Sequence, residues 1–218
     1  MPQRSNMAQQ PLCESFDQPR LSPLLHWQSE PSRWLLNPDR NVLQIWPDAQ
    51  SDFWQRTHYG FQADNGHLLY LSTSDAFQID TCVKLYPQHQ YDQAGLMIWI
   101  SSDCWIKTSV EFELEGFNHL GAVVTNHGYS DWSTQPIDHS ILQIWFRLTL
   151  KGNDVTAESS LDGQQWQQLR VAPLLGHQHG TPIRCGLYAC SPKAAGFCVD
   201  FKHLRYTPLR THSEPSAG

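Results

Sequence analysis

Residues 77–86 read Phe-Gln-Ile-Asp-Thr-Cys-Val-Lys-Leu-Tyr, and this alternation most narrows the folds open to the chain. Phe77, Ile79, Thr81, Val83 and Leu85 fall on one side. Gln78, Asp80, Cys82, Lys84 and Tyr86 fall on the other, with the period of two of a half-buried strand. Residues 141–150 repeat the pattern, with Leu142, Ile144, Phe146, Leu148 and Leu150 opposite Gln143, Trp145, Arg147 and Thr149. Ala94 to Ile100 is apolar on both faces, as suits a central strand covered on both sides. Asn65-Gly66 and Asp162-Gly163 punctuate the apolar runs and favour the positive φ angles of tight hairpins. No stretch carries a 3.6-residue apolar stripe with caps, so a helix is expected only in the loops, for example near Asp48–Phe53. Many short strands at regular spacing imply an all-β sandwich or barrel.

A chain of 218 residues can bury a substantial core as one such domain, without disulfides or metals. The polar, aperiodic ends predict flexible tails over 1–11 and 209–218, leaving 12–208 as a single domain. Charged residues make up 17% and the formal net charge is −6, which supplies no basic footprint for nucleic acid. No apolar run approaches a membrane span, and residues 1–11 form no apolar signal segment. Six cysteines show no Cys-x-x-Cys pair or regular framework, so free thiols in a reducing, cytoplasmic compartment are expected.

The candidate chemistry lies on strand faces. In Trp105-Ile106-Lys107-Thr108-Ser109-Val110-Glu111-Phe112, parity places Trp105, Lys107, Ser109 and Glu111 on one face. The other face, led by Ile106, Thr108 and Val110, suits the core. Lys107 and Glu111 stand about 13 Å apart along a strand at roughly 3.3 Å per residue, too far to pair directly. If Gln143, Trp145 and Arg147 share that sheet, one open face carries two cations, a carboxylate and two indoles. Indoles are costly on a merely solvated face, and Arg offers a planar fork of donors for ligand oxygens. Asp92 and Gln93 open a strand as an acid and an amide; Asp92 either accepts from a ligand hydroxyl or caps a turn. Ser130, Asp131 and Trp132 follow Gly128 as a loop at the rim. Trp54, Arg56 and His58 share one parity, and His58 titrates near neutral pH. His177 and His179 lie in a Pro- and Gly-rich loop without a third ligand at a diagnostic spacing, so neither a metal nor a cofactor is expected.

These same residues resemble a known family: the domain of unknown function, within the concanavalin A-like lectin/glucanase superfamily, whose fungal member is named for regulation of enolase. The matching segments are Asp52-Phe53-Trp54, Thr57-His58-Tyr59-Gly60 and Asp64-Asn65-Gly66-His67, then Tyr91-Asp92-Gln93-Ala94-Gly95-Leu96-Met97, the most specific run. Trp105-Ile106-Lys107 with Glu111, Val123-Val124-Thr125, Ser130-Asp131-Trp132-Ser133, Ser160-Leu161-Asp162-Gly163 and Ser191-Pro192 complete it. The resemblance covers about residues 25–205. Ser109 departs from the family, where a small residue, often Gly, is expected. The resemblance implies a jelly-roll sandwich of two antiparallel sheets, one of them concave, and carries over no catalytic mechanism.

Three functions are compatible with this reading. In the first, the concave sheet binds a small polar ligand such as a sugar. Trp54, His58, Asp92, Gln93, Lys107, Glu111, Trp145 and Arg147 line the site, and Ser130, Asp131 and Trp132 close its rim. In the second, a carbohydrate-active hydrolase or isomerase uses Glu111 and Asp92 as acid and base, with His58 assisting. A retaining glycosidase needs those carboxyls about 5 Å apart, which only a cross-strand arrangement can supply. In the third, the domain is a non-catalytic regulator of a cytoplasmic metabolic enzyme and meets its protein partner through exposed aromatics.

Overall fold

The computed structural model describes residues 10–209. The tails expected at 1–11 and 209–218 therefore fall almost wholly outside the described residues. Among the described residues eighteen strands follow one another, labelled in chain order. They are β1 (Leu12–Glu14), β2 (His26–Gln28), β3 (Arg33–Asn37), β4 (Val42–Trp46), β5 (Phe53–Gln55), β6 (Gln62–Asp64), β7 (His67–Thr73), β8 (Phe77–Tyr86) and β9 (Gln93–Ser101). The second half holds β10 (Cys104–Glu111), β11 (Asn118–Asn126), β12 (Tyr129–Ile137), β13 (Gln143–Lys151), β14 (Asp154–Ser160), β15 (Gln167–Pro173), β16 (Ile183–Cys190), β17 (Cys198–Phe201) and β18 (Leu204–Pro208).

Two antiparallel sheets pack face to face. One runs β15-β14-β13-β8-β17-β4-β3, with β18 paired to β8 and β1 to β18; the other, the concave sheet, runs β12-β11-β10-β9-β16-β7-β2. The alternation of β8 and β13 becomes the inner face of the first sheet, where Ile79, Val83, Phe146 and Leu148 are fully buried. Leu96, Ile98, Ile106 and Val110 of β9 and β10 meet them from the concave sheet. Each such side chain contributes about 1.5–3 kcal/mol on burial. Among the described residues, no helix is long and apolar enough to cross a membrane.

The concave sheet is covered on its outer face as well. β5 and β6 pair only with each other among the described residues, forming a short arm outside both sheets. Phe53 and Trp54 of the arm pack on Leu68, Met97, Trp105, Val123, Tyr188 and Cys190 as a second apolar cluster. The non-alternating Ala94–Ile100 run follows from this, because β9 is buried between the core and the arm.

Two local expectations are corrected. No helix forms at Asp48–Phe53; the one helix among the described residues is a 3₁₀ turn at Pro38–Arg40, capped by the Asn37 side chain. Asn65-Gly66 does not close a hairpin, since β6 pairs with β5 while β7 pairs with β16 and β2. The glycine is needed for space: a Cβ there would stand 2.3 Å from the Phe53 ring and 2.6 Å from Cys190 Sγ. Asp162-Gly163 does lie in the connection between the paired strands β14 and β15, with Gly163 at φ 73°.

Candidate functional site

The arm does not cover the concave face completely. Beside it opens a cavity of about 250 Å³ walled by Trp54, Tyr59, Phe61, Tyr91 and Trp132. Asp52, Gln93, Lys107, Glu111 and Lys193 supply its polar groups. Strand register brings these side chains together. Glu111 pairs with Gln93 across β10 and β9, and Val123 of β11 pairs with Lys107 on one side and Trp132 on the other.

The wall is held by polar ties that sequence patterning could not show. Lys107 Nζ donates to Asp52 Oδ1 at 3.2 Å and to the Phe53 carbonyl at 2.8 Å. Ser130 Oγ accepts from Gln55 N at 2.9 Å, and Arg56 Nη1 donates to the Gly128 carbonyl at 3.0 Å. The arm turns through Arg56 and His58, both at positive φ (57° and 61°), a conformation uncommon outside glycine. That turn raises Tyr59 and Phe61 against Trp54, with ring centroids 5.4 and 6.3 Å away. Both rings remain half-exposed at the cavity edge.

A hydrogen-bonded row forms the floor. Tyr188 Oη donates to Gln93 Oε1 at 3.2 Å, and Gln93 Nε2 donates to Glu111 Oε2 at 3.0 Å. Burial pushes the Glu111 carboxyl up to about 8, against the lowering influence of Lys107. Asp52 and Glu113 push in the same direction as burial, and the Gln93 amide opposes it. Near neutral pH that shift favours the protonated form of the Glu111 carboxyl.

The structure gathers Trp54, Gln93, Lys107, Glu111 and Trp132 of the expected residues around this cavity. Ser130 is buried behind it as the anchor of the arm. The others lie elsewhere. Trp145 and Arg147 sit on β13 in the opposite sheet, which corrects the expectation that they share a face with Lys107. Arg147 stacks 3.5 Å over Trp166 and pairs with Glu158 at 3.5 Å, and Trp145 lies over Gly163. Asp92 is buried away from the cavity, where its carboxylate accepts from Gln88 N, His89 N and Ser191 Oγ at 2.8, 2.8 and 2.6 Å. Of the alternatives weighed for Asp92, the turn cap matches this geometry. His58 is exposed at the arm tip, beside a shallower groove that Asp131 also lines. Asp131 pairs with Arg170 at 2.6 Å. Trp105 is fully buried under the arm and offers no stacking face.

Asp52, Tyr59, Phe61, Tyr91 and Lys193 complete the cavity without having been singled out as ligands. Asp52, Tyr59 and Tyr91 stand inside the quoted segments, and Lys193 follows Ser191-Pro192 directly. The cysteines are all unpaired. Burial raises the Cys185 and Cys190 thiols far above the range in which a thiolate nucleophile forms.

Comparison with known proteins extends the fold to relatives. The model of a family described as protein of unknown function (DUF1349) matches residues 27–209. Regulation of enolase protein 1 of Saccharomyces cerevisiae is 32% identical over 181 residues, covering 83% of this chain and 88% of that protein. A crystal structure of a functionally unknown protein from the same yeast superposes with a TM-score of 0.78 at 30% identity, covering 86% of this chain and 98% of that one. Likeness of fold alone reaches the GH43 protein BlXynB of Bacillus licheniformis, with a TM-score of 0.70 at 15% identity. That match covers 90% of this chain and 39% of the other. Lectin I-B4 from Griffonia simplicifolia matches with a TM-score of 0.57 at 12% identity, over 92% of this chain and 99% of the lectin.

Proposed function

The chain belongs to the DUF1349 family of proteins of unknown function, and from that premise we propose that it is a binding domain for a small neutral polyol, about one sugar ring in size. One observation carries the reading: a cavity of about 250 Å³ joins five aromatic walls to a polar floor of Asp52, Gln93, Lys107 and Glu111. Flat rings stack on the apolar faces of a sugar, and a few placed polar groups fix its hydroxyls. A neutral ligand is favoured over a strongly acidic one because Lys107 is already committed to Asp52 and Phe53, Arg147 belongs to the other sheet, and the remaining cation, Lys193, stands over the Tyr91 ring, 5.1 Å from its centroid. Binding is favoured over hydrolysis because the Asp92 carboxylate is fully engaged in holding its own turn. The unpaired thiols support a reducing, cytoplasmic setting.

A second reading rests on the yeast relative's printed name: the domain regulates a metabolic enzyme without catalysis of its own. The half-exposed Tyr59 and Phe61 at the cavity edge would then meet the partner. A thermal-shift screen against neutral sugars, sugar acids and sugar phosphates separates the two, since a ligand specific to the native state raises the melting temperature. A neutral sugar that stabilises the parent chain but not Trp132→Ala supports the first reading. No shift with any sugar overturns it and leaves the regulatory one.

A further inference from the structure

Beyond the cavity, Glu111 takes part in a second grouping. Across the β10–β11 ladder, Glu111 stands directly opposite His119, so both side chains project from the same face. Glu113 is drawn back toward them because its backbone N–H donates to Asn118 Oδ1 at 3.1 Å. One ligand atom from each of Glu111, Glu113 and His119 lies within 4.8 Å of the others. Donors around one Zn²⁺ at about 2.0–2.2 Å span up to roughly 4 Å, so only a small closure is needed.

Two further observations distinguish this trio from an ordinary acidic surface. Both carboxyls have one oxygen held from behind by a glutamine amide: Gln93 Nε2 donates to Glu111 Oε2 at 3.0 Å, and Gln90 Nε2 to Glu113 Oε2 at 2.7 Å. Outer partners of this kind orient ligating carboxylates in metal sites. His119 Nδ1 is shielded from solvent yet makes no hydrogen bond, although Glu113 Oε1 is 3.4 Å away. Its ring is set edge-on to Trp132, with centroids 5.5 Å apart. A shielded imidazole nitrogen facing a carboxylate oxygen at 3.4 Å is an arrangement that a shared cation can bridge.

We propose that Glu111, Glu113 and His119 form a binding site for a divalent transition ion of the Zn²⁺ type, at the edge of the cavity. Two carboxylate oxygens and one imidazole nitrogen are a donor set suited to such an ion, and three protein ligands leave a coordination position open. Glu111 belongs to both the trio and the cavity lining, whereas Glu113 and His119 line the neighbouring groove, so the ion would sit between the two. The site stands independently of the sugar reading, because its test contains no sugar.

The test is calorimetric titration of the full chain with Zn²⁺ alone, after chelator treatment, in parallel with Glu113→Gln, His119→Gln and Cys13→Ser. Glu115→Gln, in the same hairpin but outside the trio, is the control. One site per chain is expected, weakened more than ~10-fold by either trio substitution and unchanged in Cys13→Ser and Glu115→Gln. Even the loss of an outer partner weakens metal sites by that factor. Melting curves without metal establish that each variant is folded. Zn²⁺ affinity untouched by both trio substitutions, or lost in Cys13→Ser, overturns the proposal.

Discussion

Lys107 Nζ lies 3.2 Å from Asp52 Oδ1, joining the middle of the concave sheet to the first residue before the arm. Both side chains are largely withdrawn from water, and the ammonium also holds the Phe53 carbonyl. Removing one partner of a shielded pair leaves the other uncompensated. Lys107→Met is expected to destabilise the domain by about 3 kcal/mol. Amide exchange should rise first across 53–64, because the arm has no ladder to either sheet. Urea denaturation with site-resolved hydrogen exchange checks this; a uniform rise in exchange over both sheets would show that Lys107 does not act through the arm.

The Glu111 carboxyl gives a pH signature. Its folded pKa, about 8, lies above the unfolded value near 4.3, so the native state keeps a proton that the unfolded chain releases. In chelator-treated protein, stability should therefore fall as pH rises from about 4.3 to about 8, and then level off. The contribution is on the order of a few kcal/mol. Glu111→Gln should flatten that part of the profile, which parallel urea melts of the two proteins at several pH values would reveal. Equal slopes in both would count against it.

Asp92 is expected to matter for folding and not for ligand contact. Its carboxylate takes three donors in a buried setting. Asp92→Ala should cost about 3 kcal/mol, in the range for hydrogen bonds to a buried charge. Ligand affinity measured well below the melting temperature should be unchanged. A large loss of affinity in a fully folded variant would return Asp92 to the site.

Arg147 supplies the contrasting case. Its partners, Glu158 of β14 and Trp166 in the β14–β15 connection, belong to the far sheet's side and are partly exposed. Arg147→Ala should reduce stability by about 1 kcal/mol or less and leave any sugar-dependent thermal shift intact. Loss of that shift with normal stability would mean the ligand sits on the other face.

The alternation in Phe77–Tyr86 and residues 141–150 made the sandwich readable, because a period of two leaves each side chain only one face. Sheet membership was not readable in the same way. Lys107 and Arg147 both occupy outward positions of alternating strands, and nothing local to either strand tells which sheet it joins. That depends on pairing between distant segments, here β13 with β8 and β10 with β9. Asp92 shows a second limit: an acid at the start of a strand serves a ligand or its own turn equally well until Gln88, His89 and Ser191 are seen around it. Tyr59 and Phe61 were obscured for a third reason. They reach the cavity through a turn with three residues at positive φ, Arg56, His58 and Gly60, and apolar periodicity does not encode such a turn.

The arm of β5 and β6 separates two properties that most domains mix. Its tip, residues 56–61, shapes the opening of the cavity but takes no part in either sheet's ladder. Substitutions there can change what enters while the register of the sandwich stays as it is. What the cavity admits is thus set by six residues of chain that carry none of the sandwich's register.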